Sequence, residues 1–447
     1  MPCAGVLRFP AFRRTVAVFL QYRGRVCYNG GMEKTAELLS PAGDYEKLTM
    51  AVLYGADAVY LAGPAFGMRA AAGTFDEPSL RRAVAYCHGR GVRVYVTCNT
   101  IPTDAEYAAL PGFLELVADA GADAVIAADL GVIRAVQKYA PRCALHVSTQ
   151  AGVMSSAAAG AFHDLGASRV VLARELSLDD IAGIRANTPP GLELEAFCHG
   201  AMCVSFSGRC TLSAYLTGRD ANRGRCAQPC RWRYHLVEEK RPGEYFEIGE
   251  DGGTYILNAR DMCMIEHIPA LLSAGVTSLK LEGRTKSAYY AAAVTNAYRH
   301  AIDAARADTP LDPVWAAEVY KISHRPYSTG FYFGEPGQYT ADACYFSDAD
   351  VVAVVEACGD DGTAVLSQRN RFYPGETLEL LTPGGRPLTF TAGPMTDADG
   401  APVESARHPK MTLHTTLPVA APPGSFLRRA RTESLPGHAA GTEDTFS

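Results

Sequence analysis

A chain of 447 residues, 48% hydrophobic and 20% charged, carries enough apolar mass for a large core and has room for two domains. No apolar run is long enough to span a bilayer, and a formal net charge of −6 argues against broad, nonspecific nucleic-acid binding while leaving room for a local basic patch. Thirteen cysteines without a convincing export signal point to a reducing, cytoplasmic setting, where disulfides are disfavoured and metal or cluster ligation gains weight.

The first 31 residues hold five arginines (Arg8, Arg13, Arg14, Arg23, Arg25) and no acid before Gly30, Gly31 and Met32. That composition suits either an organelle-targeting leader or a start assigned too early. The regular pattern MEKTAELLSPAGDYEKL, opening at Met32, favours the second. The run TVAVFL (15–20) is too short and poorly flanked for a secretory signal.

Four stretches then echo one another: YGADAVYLAG (54–63), AGADAVIAAD (120–129), LGASRVVLAR (165–174) and AGVTSLKLEG (274–283). Each ends an amphipathic helix on glycine, which supplies a left-handed cap, and turns into a β-branched apolar run. Such runs read as parallel strands covered on both faces. Filling the gaps predicts eight strands, at 37–43, 56–63, 92–99, 122–129, 143–150, 168–175, 192–200 and 276–283. Helical segments such as 44–55 and 176–188 lie between them. Eight βα units over 35–306 predict an α/β fold, a (β/α)8 TIM-like barrel, with a doubly wound open sheet as the alternative. No GxGxxG or GxxxxGK[ST] pattern supports nucleotide binding of those kinds.

Strand seven does not lead directly to strand eight, because a cysteine-bearing insertion, 201–263, separates them. In a barrel, insertions after a strand sit at the C-terminal mouth, where chemistry is done. After a helix over 285–307, the stretch 307–339 reads as a linker. Short alternating runs at 350–366, 376–390 and 412–430 then predict a small all-β barrel domain over 340–432, followed by a polar, disordered tail at 433–447.

Cys203, Cys210, Cys226 and Cys230 are separated by six, fifteen and three residues, in glycine-rich polar surroundings. Four thiolates are the ligand set of an iron–sulfur cluster and equally of structural zinc. Zinc sites pair ligands in two close hooks, and only Cys226 and Cys230 make one. A cluster, zinc and unligated thiols all stay open on spacing alone. Cys87, Cys98, Cys143, Cys344 and Cys358 read as structural thiols, Cys3 and Cys27 belong to the leader, and Cys198 and Cys263 are spare or substitute ligands.

Arg209, Arg219, Arg223, Arg225, Arg231 and Arg233 are interleaved with the four thiols. They suit a negatively charged cluster, an anionic substrate, or merely a solvated basic loop. Strand ends place Asn99, Asp129, Gln150, Arg174, Glu175, His199 and Glu282 around the expected mouth. The segment LKLEGRTKSAYY (279–290) adds Lys280, Arg284 and Lys286. Asn99, Gln150, Arg174, Lys286, Arg225 and Arg231 are the candidate substrate-binding residues; Glu282, Arg284 and His199 are the candidate catalytic ones. No HExxH or GxSxG pattern is present.

These residues resemble a known family. ELLSPAGDYEKL, FCHGAMCVSFSGRCTLSAYLTGRDANRGRCAQPCRW, YILNARDMCMIEHIPALLSAGVTSLKLEGRTKSAYY and HRPYSTGFYFG look like the collagenase-like peptidases, family thirty-two of unknown catalytic type, over about 35–430. The branch most similar hydroxylates tRNA wobble uridine to 5-hydroxyuridine. The resemblance implies a barrel-type catalytic domain and a [4Fe–4S] cluster, with prephenate as hydroxyl donor. It places Cys203 and Cys210 in the family's G-x-x-C-x6-C signature, Cys226 at the following Gly-Arg-Cys and Cys230 before Arg-x-Arg-Tyr, with Cys263 as substitute. It also implies tRNA as partner through the arginine patch, a carboxylate of the donor on Arg284 or a cluster-loop arginine, and proton handling by Glu282 or His199. The leader has no counterpart in the family pattern. A peptidase and a noncatalytic RNA-binding or zinc-stabilised protein are the competing readings; homo-oligomerisation is left open, and no membrane partner is expected.

Overall fold

The computed structural model describes residues 36–68, 73–206, 209–232, 258–339 and 345–431, together with two short paired strands within the insertion. The expected leader (1–31), the expected tail (433–447), Arg233 and Cys344 lie outside the described residues.

All eight expected barrel strands form. Seven are β1 (Glu37–Pro41), β2 (Ala58–Ala62), β3 (Arg93–Cys98), β4 (Ala124–Ala127), β5 (Ala144–Val147), β6 (Arg169–Val171) and β7 (Glu193–Ala201). The insertion contributes a hairpin, β8 (Leu236–Val237) with β9 (Tyr245–Phe246), and a short β10 (Asp261–Cys263), before the eighth barrel strand, β11 (Ser278–Leu281). Neighbouring barrel strands are parallel, and β11 pairs with both β7 and β1, which closes the ring.

Local chemistry explains why the units repeat. Gly55, Gly121, Gly166 and Gly275, the glycines of the four echoed stretches, all have positive φ and end the helix before the strand. In two of the echoes the following aspartate ties the ring together: Asp57 Oδ2 accepts from Leu38 N and Asp123 Oδ2 from Val94 N, both at 2.7 Å. Helices open on side-chain caps, as at Asp44, Asp76, Asp129, Ser155, Ser177 and Ser287.

Alternation along each strand separates two apolar layers. Leu38, Val59, Val94 and Val125 pack against the helices, while Leu39, Tyr60, Tyr95 and Ile126 fill the lumen. The N-terminal half of the lumen is charged rather than apolar. Arg169 Nη1 donates to Glu37 Oε1 at 2.6 Å, Glu195 Oε2 at 3.0 Å and Ser278 Oγ at 3.2 Å, and Lys280 Nζ donates to Glu195 Oε1 at 2.7 Å.

The stretch 307–339, expected as a linker, is packed onto the barrel. It carries the helix Pro313–Glu318 and β12 (Tyr327–Ser328), which pairs with β10, and it buries Trp315, Ile322, His324, Arg325 and Tyr332. Buried charge holds it there: Arg325 donates to Asp261 Oδ1 at 2.9 and 2.6 Å and to Asn258 Oδ1 at 2.9 Å.

The C-terminal domain is the expected all-β unit: an antiparallel eight-stranded half-barrel. Its strands are β13 (Ala349–Cys358), β14 (Thr363–Gln368), β15 (Thr377–Leu381), β16 (Leu388–Thr391), β17 (Met395–Thr396), β18 (Pro402–Val403), β19 (Thr412–Thr416) and β20 (Phe426–Ala430). It is fastened to the barrel by Tyr54 Oη, which donates to Leu381 O and Gly424 O at 3.1 Å, and by Arg428, which donates to Glu318 at 2.7 and 2.6 Å. No helix among the described residues is long and apolar enough to cross a membrane.

Candidate functional site

The C-terminal ends of the barrel strands surround a cavity of about 140 Å³. Its lining brings together Asn99 from the end of β3, Gln150 after β5, Arg174 after β6, Glu282 and Arg284 after β11, and Cys203 from the start of the insertion. Six sequence-predicted site residues therefore converge. The lining also includes Tyr60, Met68, Thr97, Ser148, Phe197 and Lys280.

The parity of the strands places these side chains. Ser278, Lys280 and Glu282 point into the lumen in turn along β11 and its exit, as do Tyr95, Thr97 and Asn99 along β3. Glu282 needs a close approach from β7. Its backbone N donates to His199 O at 2.8 Å, and a Cβ on Gly200, whose φ is +107, would collide with Glu282 O. Any side chain at position 200 would therefore push the carboxylate out of place.

Cations dominate the cavity. Arg174 lies 4.0 Å over the Phe197 ring, donates to Ala201 O at 3.3 Å and stands 3.9 Å from Glu282 Oε2. Its Nε is buried and meets no hydrogen-bond acceptor. Arg284 donates to Thr97 Oγ1 at 3.4 Å and contacts Met68 O. Lys280 sits on the floor, 4.6 Å over the Tyr60 ring, with its ammonium held by Glu195. Polar groups continue around the wall: Met68 N donates to Asn99 Oδ1 at 3.1 Å, and Asn99 Nδ2 donates to Ser148 Oγ at 3.4 Å.

The insertion lies against this mouth. Phe206 packs on Gly152, the residue that ends the turn after β5, and Arg223 pairs with Glu106 in the segment after β3. The four thiols of the insertion are neighbours. Burial raises the Cys230 thiol pKa; Arg231 opposes this, and Cys203, Cys226 and Cys210 each add to the rise. Cys230 thus sits within electrostatic reach of the other three thiols, and the donor set suits a thiolate-bound cluster or zinc. Among the described residues, no three His, Cys, Asp or Glu side chains already stand in a ligating arrangement.

Cys263 is placed elsewhere. It lies in β10 with Sγ 3.8 Å from Tyr298 Oη, and its thiol is pushed up to about 11 by burial. Cys87, Cys98 and Cys143 are buried as expected of structural thiols, and Cys358 is partly buried. Cys198, expected as a spare ligand, is instead buried, with Sγ 3.5 Å from Lys280 O.

His199 does not reach the cavity, contrary to the expectation from its strand-end position. Lys280 faces Phe197 across the β7–β11 ladder, but the next residue, Leu281, faces His199. Two residues of β7 oppose one of β11, and this bulge turns His199 outward to the long helix Ala288–Arg306. There Nδ1 lies 3.2 Å from Tyr298 Oη, among the rings of Tyr290, Tyr298 and Tyr327. Burial pulls its pKa down to about 3 from the ordinary 6.5. The folded chain keeps this ring neutral where the unfolded chain takes up a proton. Stability is therefore lost as pH falls from about 6.5 towards about 3, by about 1.4 kcal/mol per pH unit from this group. Thermal melts of wild type and His199→Gln across that range should show a shallower slope in the variant; equal slopes would mean that the histidine is not held neutral.

Lys286, Arg225 and Arg231 also stay outside the lining. Lys286 donates to Ser323 O at 2.9 Å, and burial lowers its pKa to about 8. Arg231 bonds Gln228 Oε1 and Tyr345 Oη, each at 2.8 Å. Arg225 is exposed on the insertion, its carbonyl accepting from Arg219 Nε at 3.0 Å. Lys280, singled out in the segment 279–290, lines the cavity as well; Ser148 was findable from the period-two parity of its strand; Met68, on a loop after β2, carries no local signal.

The family described as Peptidase family U32 matches residues 43–342, and its C-terminal domain matches 347–428. The protein named tRNA hydroxylation protein P1 of Bacillus subtilis (strain 168) is 35% identical over 89% of this chain and 96% of its own length. The one named tRNA hydroxylation protein P of Escherichia coli (strain K12) is 35% identical over 86% of this chain and 94% of its own. A protein named Collagenase, from Porphyromonas gingivalis (strain ATCC BAA-308 / W83), is 33% identical over 67% of this chain and 74% of its own. Both domains of the fold, and the sequence along nearly the whole described chain, place this protein in peptidase family U32.

Proposed function

We propose that this chain is an RNA hydroxylase that converts the wobble uridine of tRNA to 5-hydroxyuridine, with prephenate as the hydroxyl donor. The names of two relatives that align over most of their length support the RNA substrate. The observation that carries the donor is the charge of the cavity: among the described lining residues, Arg174, Arg284 and Lys280 accompany one carboxylate, Glu282, with Lys280 shared by Glu195 beneath the floor. Such a site suits a small dianion, and prephenate is a dicarboxylate.

In this reading Cys203, Cys210, Cys226 and Cys230 hold a [4Fe–4S] cluster beside the cavity, with Cys203 shared between the lining and the ligand set. Bound there, the cluster supplies one-electron chemistry tuned by neighbouring charge. The chain's own residues divide the remaining work. Arg174 and Arg284 orient the donor carboxylates, Lys280, shared with Glu195, offers an N–H donor from the floor, and Glu282, 3.9 Å from Arg174, is the group placed to take or give a proton. Peptide hydrolysis, which the name of one relative carries, finds less support. Among the described residues that line the cavity there is no histidine beside Cys203, and His199 is turned away.

Mass spectrometry of tRNA from a strain lacking this chain tests the reading. Loss of the 5-hydroxyuridine-type wobble modification is expected; unchanged modification overturns it. At the cavity, Arg174→Lys keeps the charge but loses the planar fork. It should raise the KM for prephenate about tenfold and leave kcat within a few fold. A KM unchanged by that substitution would remove Arg174 from donor binding.

A further inference from the structure

The outer face of the insertion is chemically unlike the rest of this acidic chain. Between 209 and 232 there are five arginines and one aspartate. Arg223 is engaged by Glu106 and Asp220, and Arg231 by Gln228 and Tyr345. Arg209, Arg219 and Arg225 are exposed. Among them the helix Leu212–Thr217 carries Tyr215, 86% exposed, and Leu216, 51% exposed. Tyr215 is the most exposed large hydrophobic side chain among the described residues, and it sits among exposed arginines.

This exposure is built rather than loose. Ser213 is fully buried; its Oγ accepts from Ala227 N at 3.0 Å, which ties the helix to the turn between Cys226 and Cys230. With Ser213 fixed inward, Tyr215, two residues further along the helix, is held on the opposite side. The insertion that carries them also supplies Cys203 to the cavity, and its Arg223 pairs with Glu106 in the segment after β3.

We infer that Tyr215 and Leu216, ringed by Arg209, Arg219 and Arg225, form a stacking platform for unpaired bases of an RNA loop. This deepens the RNA-hydroxylase reading and rests on it. A bare aromatic face inside a cationic ring fits bases joined by phosphates: the ring stacks and the guanidiniums meet the backbone. A protein partner would leave the exposed arginines needing acidic complements, whereas RNA supplies the anion with every nucleotide.

The test uses the full chain, a labelled RNA hairpin with a single-stranded loop, and a fully paired duplex of equal length. Tyr215→Ala should weaken hairpin binding about tenfold or more, Tyr215→Phe should stay within about twofold, and duplex binding should not move. Arg219→Ala with Arg225→Ala should lower the salt dependence of hairpin binding. Melting temperatures should be unchanged, because the ring is exposed. Equal hairpin affinity for wild type and Tyr215→Ala overturns the platform, and so does a variant that changes only self-association or protein binding. A wild-type chain that binds no RNA overturns the underlying reading instead, which keeps the two failures distinct.

Discussion

Serine in place of Cys203, Cys210, Cys226 or Cys230 is expected to remove bound iron and wobble hydroxylation together, whereas Cys263→Ser leaves both in place. The distinction follows from position. Cys203, Cys210 and Cys226 each act on the Cys230 thiol, and none of the four is enclosed by the apolar core. Cys263 lies in β10 against Tyr298 and is among the partly buried residues packed on the barrel core. Loss of one thiolate from a four-thiolate set leaves an open coordination position, and the cluster becomes labile. Anaerobic purification, iron and zinc analysis and the thiolate-to-iron absorption band check this. Stoichiometric zinc without iron would sink the cluster assignment, and iron retained in Cys226→Ser with iron lost in Cys263→Ser would reverse the ligand assignment.

Arg169→Met is expected to cost about 3–5 kcal/mol of stability, the largest single effect outside the cluster. Arg169 is buried in the lumen and serves three acids: Glu37 at 2.6 Å, Glu193 at 2.7 Å and Glu195 at 3.0 Å. Burial works against its charge, and Glu37 and Glu195 overcome that and hold it ionised. Burial likewise pushes Glu37 up, but Arg169, with help from Arg93 and the Tyr95 hydroxyl, brings it below the ordinary carboxylate value. Methionine fills the volume and leaves those carboxylates in a closed lumen without their main counter-charge. Lys280 still serves Glu195 at 2.7 Å, so Glu37 suffers most. Arg169→Met combined with Glu37→Gln should therefore recover part of the loss in denaturant melts. A single variant within about 1 kcal/mol of wild type would show that water or protonation relieves the site.

The same network marks where sequence reading stops. Glu195 and Lys280 interrupt apolar runs and are visible as charges inside strands, but their partnership joins β7 to β11 across the insertion and no local pattern announces it. Arg169 reaching Glu37 joins residues far apart in sequence. His199 shows the limit most plainly. Strand parity sends a residue at the end of β7 to the mouth, and one bulge, created only when β7 pairs with β11, sends it to the helix layer instead. The stretch 307–339 reads as a linker because prolines bound its start, while its burial depends on Asp261 and Asn258 from another part of the chain.

Everything that repeats or is local could be read from the chain: the eight strands with their glycine-ended helices, the insertion before the last strand, the all-β C-terminal domain, and the four thiols gathered with arginines. Those features arise from backbone conformation and side-chain period within a few residues. Contacts between distant segments decided which of the strand-end residues share a cavity, that Lys286, Arg225 and Arg231 stand outside it, and that Cys263 packs against the core. Those outcomes depend on ring closure and on one strand register, which are set by contacts between segments distant in the chain.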